Sequence, residues 1–124
     1  MSVPKKILLV DDEPDIRTVA ELCLIELGGF EVVLAASGAE ALELLSSHAP
    51  FDLVLLDVMM PELDGPSTLA TLRSRGVTTK VVFMTAKVGK REVAHYLSLG
   101  AVAVIEKPFD VFTLPSRLAA LAEP

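Results

Sequence analysis

The sequence predicts an α/β fold in which five parallel strands are covered by helices on both faces. Three observations lead there. Short apolar runs recur without alternation, at Ile7–Val10, Leu53–Leu56 and Val81–Met84 among others, as expected of strands buried on both faces. Between them lie longer stretches with helical periodicity, opened by Pro or Ser and closed by Gly. Strands alternating with helices in this way form right-handed βαβ units and a parallel sheet.

Taken in order, Ile7-Leu-Leu-Val10 is the first strand and runs into Asp11-Asp12-Glu13-Pro14, where Pro after acidic residues signals a helix start. That helix reads to Leu27 and stops at Gly28-Gly29, with Ile16, Val19, Ala20, Cys23 and Leu27 on one face. Leu22 and Ile25 point elsewhere. Glu31–Ala35 is the second strand. Ser37 then caps a helix to about Ser47, with Glu40 three residues on in a capping-box pattern. The third strand, Leu53–Leu56, runs straight into Asp57. Asp64-Gly65 reads as a turn, and a helix follows from Pro66 to about Arg75, closed by Gly76.

Lys80–Met84 is the fourth strand, ending in Thr85. The helix over 90–99 has low propensity, with Val88 and Gly89 at its entrance, and is expected to be the most mobile element. Val102–Ile105 is the fifth strand, leading to Lys107-Pro108. A last helix from about Asp110 is expected to bury Val111, Leu114, Leu118 and Leu121, with Pro115 tolerated in its first turn. Tyr96 reads as a packing residue, and His48 and His95 as surface residues. For five strands the flavodoxin-like order 2-1-3-4-5 is favoured, with its crevice at the carboxyl ends of strands one and three.

Composition narrows the function classes. The 124 residues suit one compact domain, 52% of them hydrophobic and 23% charged. A net charge of −6 argues against non-specific binding to nucleic acid or anionic membranes. The single cysteine, Cys23, excludes an internal disulfide and suits a reducing compartment. No apolar run approaches the roughly 20 residues that span a bilayer. The expectation is a cytoplasmic domain that neither binds nucleic acid nor enters membranes.

The candidate site follows from the strand exits. Asp11 and Asp12, Asp57, Thr85 and Lys107 close strands one, three, four and five, all at the sheet edge where such folds bind ligands. Three carboxylates beside the switch point repel one another unless a cation compensates them. Oxygen ligands without His or Cys select a hard ion, Mg2+ or Mn2+. A carboxylate nucleophile at Asp57, a hard metal, the Thr85 hydroxyl and the Lys107 ammonium are the parts that phosphoryl transfer requires. Taken singly, each has an ordinary role: Asp11 to Glu13 as helix-start charges, Thr85 as a strand-end hydroxyl, Lys107 as a loop cation. Their common edge is the signal.

These residues resemble the receiver domain of two-component response regulators. The likeness rests on Asp11-Asp12-Glu13, Asp57-Val-Met-Met-Pro61 through Gly65, Met84-Thr85-Ala86, Gly100-Ala101 and Lys107-Pro108-Phe109, and covers residues 1–124 as one domain with no output domain. It implies that Asp57 takes a phosphoryl group from a sensor histidine kinase or a histidine phosphotransfer protein. It implies Mg2+ held by Asp12, Asp57 and the backbone carbonyl of Met59, with Asp11 acting through water. Thr85 and Lys107 would contact phosphoryl oxygens, and Lys107-Pro108 would be a cis peptide. The domain would catalyse only its own phosphorylation and dephosphorylation, then switch binding of a downstream protein through the region of helix four, strand five and helix five. Self-association as a homodimer is left open.

One position departs from the pattern. Many receivers carry Tyr or Phe three residues before the lysine; here it is Val104, whose restricted χ1 and small surface cannot repeat an aromatic rotamer change. Met59 and Lys87 border the site and are expected to tune phosphoryl lifetime. Val104, with the off-face Leu22 and Ile25, motivates a competing reading as a phosphate-independent scaffold that docks proteins. An aspartyl-nucleophile phosphatase is a third reading, but such enzymes usually place a second Asp where this chain has Met59.

Overall fold

The structure, a computed structural model, describes residues 4–47 and 50–124. Five strands, β1 (Lys6–Val10), β2 (Glu31–Ala35), β3 (Leu53–Asp57), β4 (Val81–Thr85) and β5 (Ala103–Glu106), form one parallel sheet in the order β2-β1-β3-β4-β5. This is the expected order. Helices α1 (Pro14–Glu26), α2 (Gly38–Ser46), α3 (Gly65–Ser74), α4 (Lys90–Ser98) and α5 (Leu114–Ala122) connect and follow them. Every residue of β3 and β4 is buried, whereas the edge strands β2 and β5 are only partly covered.

Side chains alternate across each strand, so the apolar runs feed two cores. Leu8, Val54, Leu56 and Phe83 pack with Leu42 and Leu69 under α2 and α3. Leu9, Leu55 and Met84 pack with Leu24, Ile105 and Leu118 under α1 and α5. Register fixes the functional edge: Val10 pairs with Leu56, Asp57 with Met84, and Thr85 with Glu106. The polar residues that end the strands therefore lie side by side.

Three helices differ from expectation in instructive ways. On α1 the buried residues are Ala20, Cys23 and Leu24, a compact i, i+3, i+4 set, while Val19 and Leu27 are about half exposed. Apolar residues run nearly all round this helix, so periodicity alone does not fix its phase. Leu22 and Ile25 are exposed as expected; Leu22 lines a shallow groove of about 410 Å3 with Val19, Leu27 and Val111. α5 begins at Leu114 rather than Asp110. The Asp110 carboxylate accepts from Phe112 N at 2.8 Å and its carbonyl from Leu114 N at 2.9 Å, a capped single turn; Pro115 has no N–H to continue that ladder, so the regular helix starts one turn later. Leu114 and Leu118 are buried; Val111 and Leu121 are half-buried. Asp64 is an N-cap rather than a mere turn residue, accepting from Ser67 N at 2.8 Å.

The remaining helices follow their signals. Ser37 Oγ accepts from Glu40 N at 3.1 Å, and the Glu40 carboxylate returns to Ala36 N. α4 buries no residue. Tyr96, its partly buried aromatic, packs edge-on to Phe83 with ring centroids 5.3 Å apart. His95 is exposed, and His48 lies outside the described residues. Among the described residues no helix is long and apolar enough to cross a membrane.

Gly65 ties α3 to the sheet. Its N–H donates to Val58 O at 2.9 Å, and a Cβ there would stand 2.5 Å from the Asp57 carbonyl oxygen and 2.9 Å from Val58 Cα. Both are backbone atoms beside the site. Gly65→Ala is expected to lower unfolding free energy by about 2 kcal/mol, measured by urea titration; a loss under about 0.5 kcal/mol would show that the loop yields freely.

Candidate functional site

Four elements deliver the site. Asp11 follows β1 and is fully buried; Asp57 ends β3 at 2% exposure; Thr85 ends β4 at 4%. Lys107 follows β5, in a cis peptide with Pro108, as the resemblance to receiver domains implies. Its Nζ lies 3.1 Å from Asp11 Oδ2 and 3.3 Å from Asp57 Oδ2. The first contact is a hydrogen bond. The second is an ion contact off hydrogen-bond alignment, which leaves Asp57 Oδ2 buried without a donor.

Asp57 Oδ1 fares little better, since Met59 N reaches it only at 3.4 Å. Burial pushes the Asp57 carboxyl up to about 6, and the neighbouring Asp11 charge adds to the rise, although Lys107 opposes both. Burial pulls Lys107 down, but its hydrogen bond to Asp11 and the charges of Asp57 and Asp11 outweigh that and hold it above its ordinary value. The ammonium is therefore a fixed positive charge.

Oxygens of Asp11, Asp12 and Asp57 lie within 4.8 Å of one another. A carboxylate triad with a buried, donor-less oxygen fits a hard divalent cation. Beside it opens a cavity of about 240 Å3 lined by Glu13, Asp57, Met59, Thr85, Ala86 and Lys107. Thr85 Oγ1 accepts from Lys87 N at 3.1 Å, which leaves the hydroxyl proton free to turn toward a ligand. The Met59 side chain, 76% exposed, stands at the mouth. Asp57, Met59, Thr85 and Lys107 thus border one small volume, and Asp11 and Asp12 meet Asp57 beside it.

Glu13, read from the sequence as a helix-start charge, also belongs here: its Oε1 lies 3.7 Å from Lys107 Nζ. No sequence signal separates it from the other acids preceding Pro14. Val104 is half-buried on β5, paired in register with Phe83.

A family model described as the response regulator receiver domain matches residues 7–119. This chain belongs to that family. The receiver is 40% identical to response regulator MprA of Mycolicibacterium vanbaalenii over 96% of its own length and 51% of the relative's. It is 38% identical to the alkaline phosphatase synthesis transcriptional regulatory protein PhoP of Bacillus subtilis, over 94% and 48% of the two chains. The chain spans about half the length of the curated relatives it matches. Among solved structures, the receiver domain of Francisella response regulator 1452 superposes with a TM-score of 0.87 at 30% identity, covering 95% of this chain and 96% of the other. The chemotaxis response regulator CheY4 of Vibrio cholerae gives 0.86 at 29%, covering 96% and 99%.

Proposed function

We propose that this receiver accepts a phosphoryl group on Asp57 from a phosphohistidine of a sensor histidine kinase or a histidine phosphotransfer protein. The observation that carries the reading is the buried Asp57 Oδ2, without a hydrogen-bond donor and 3.3 Å from the Lys107 ammonium. An Asp57 oxygen attacks phosphorus, the P–N bond breaks, and the imidazole leaves with the electron pair and recovers a proton. With its carboxyl near 6, Asp57 is mostly ionised at neutral pH and able to attack.

Lys107 faces the charge that gathers on the phosphoryl oxygens, and the Thr85 hydroxyl turns to donate to one of them. Asp11, Asp12, Asp57 and the Met59 carbonyl would hold Mg2+, or Mn2+ in its place, with Asp11 acting through water. That ion, when bound, supplies further positive charge against the transferring group.

Turning Thr85 away releases Lys87 N, three residues before α4. That helix has no fully buried residue and has Tyr96 as its aromatic anchor on Phe83, so it is the element most easily re-seated. Output then passes through α4, β5 and α5 to a downstream protein without an aromatic at Val104.

The test is intact mass after incubation with Mg2+ and acetyl phosphate. One added phosphoryl group is expected in the parent, and none after chelation or in Asp57→Asn. No addition to the parent, or equal addition to the variant, overturns the reading. The phosphate-independent scaffold makes the opposite prediction in cells, where Asp57→Asn would keep its partner's response.

A further inference from the structure

Glu13 is the one ionisable residue lining the 240 Å3 cavity to which phosphoryl transfer, as proposed above, gives no task. Its side chain is 61% exposed, against 15% for Lys107. The ammonium is nearer to Asp11 and Asp57 than to Glu13, at 3.1 and 3.3 Å against 3.7 Å. One positive charge therefore serves two buried acids first, and Glu13 adds an incompletely neutralised negative charge at the opening. Its backbone is held beside the site, because Glu13 N donates to Asp11 Oδ1 at 2.9 Å. The nearest cation on α1, Arg17, donates to the Asp11 carbonyl at 2.7 Å.

We propose that Glu13 is a specificity-determining residue that holds back small, free phosphoryl donors in proportion to their negative charge. A donor carried on a protein can offset this repulsion over its docking surface; a free acyl phosphate has no such surface. The inference rests on Asp57 being the acceptor.

The effect of a fixed charge on an incoming anion scales with the anion's charge and fades with salt. Acetyl phosphate is doubly charged near neutrality and phosphoramidate singly. Phosphorylation rates of parent, Glu13→Gln and Glu13→Lys would be measured with each donor, with Mg2+ saturation checked by titration for every variant. Glu13→Gln is expected to accelerate acetyl phosphate about fourfold and phosphoramidate about twofold, the square root, at low salt. Glu13→Lys goes further in the same direction. Both gains shrink toward unity near ~1 M salt, where the Debye length is roughly 3 Å. An equal factor for the two donors, a slower rate, or a gain that survives high salt overturns the role of Glu13 alone. A parent chain that takes up nothing from either donor overturns the acceptor assignment as well.

Discussion

Lys107→Met is expected to lower unfolding free energy by about 3 kcal/mol near pH 7.5 in metal-free buffer, the scale for removing one partner of a buried ion pair. The cause is local. Lys107 Nζ lies 3.1 Å from Asp11, which has no exposed surface, and 3.3 Å from Asp57, whose side chain is 3% exposed. Methionine keeps the apolar stem and removes the charge, leaving two close carboxylates facing each other. The exposed partner Glu13 contributes little to this loss. Protonation limits the damage: without the ammonium, Asp57 moves further above about 6, so the deficit narrows as pH falls toward about 5. Mg2+ should bind the variant's vacated charge more tightly and restore part of the stability by linkage. The double variant Asp57→Asn/Lys107→Met should lose less than the sum of the singles, since the repelling pair is gone. Urea titrations across pH decide it. A single-variant loss below about 1 kcal/mol would mean that Lys107 does little to compensate these acids.

The fold was legible where burial leaves no choice. Leu53–Leu56 carries four apolar residues in a row because both faces of β3 are covered, and no amphipathic helix would need that pattern. The site was legible for a related reason: in a parallel sheet all strands end at one edge, so Asp11, Asp57, Thr85 and Lys107 could be placed together without any distance being known. The phase of α1 was not legible, because Val19, Leu22, Leu24, Ile25 and Leu27 offer apolar surface in several directions. Nor was the start of α5, where Asp110 caps a single turn and Pro115, without an N–H, interrupts the ladder before the regular helix.

Some features have no sequence signal. Glu62 adopts φ 69, with Leu63 N donating to Pro61 O at 2.7 Å, a tight turn that Gly or Asn would ordinarily announce. Which acid Lys107 bonds is likewise invisible in one dimension. The charge pattern places it among carboxylates, but only geometry shows that the hydrogen bond goes to Asp11 and leaves Asp57 Oδ2 without a donor.

That asymmetry leads to the second large effect. Asp57→Asn is expected to be more stable than the parent, by about 2 kcal/mol near pH 8 without metal and by almost nothing near pH 4. The carboxyl is pushed up to about 6 in the folded chain from an ordinary 3.8. Between those values the folded state holds a proton that the unfolded state has released. The stabilisation from that proton is complete below about 4 and is lost as pH rises through about 6, so the parent weakens across this window. Asparagine does not titrate, and the difference therefore opens between the two values and is level above them. A displacement of this size corresponds to about 3 kcal/mol at its limit; an amide facing Lys107 without a good partner returns about 1 kcal/mol of it. Mg2+ should close the gap from the other side, stabilising the parent by about 2.7 kcal/mol at a hundred times its dissociation constant while binding the variant more weakly. A difference that is flat with pH, or an Asn variant less stable at high pH, would show that ionised Asp57 is already compensated inside the fold. The opposite result ties stability to chemistry: the charge that weakens the metal-free domain is the one that a cation would offset and that would make the Asp57 oxygen a nucleophile toward phosphorus.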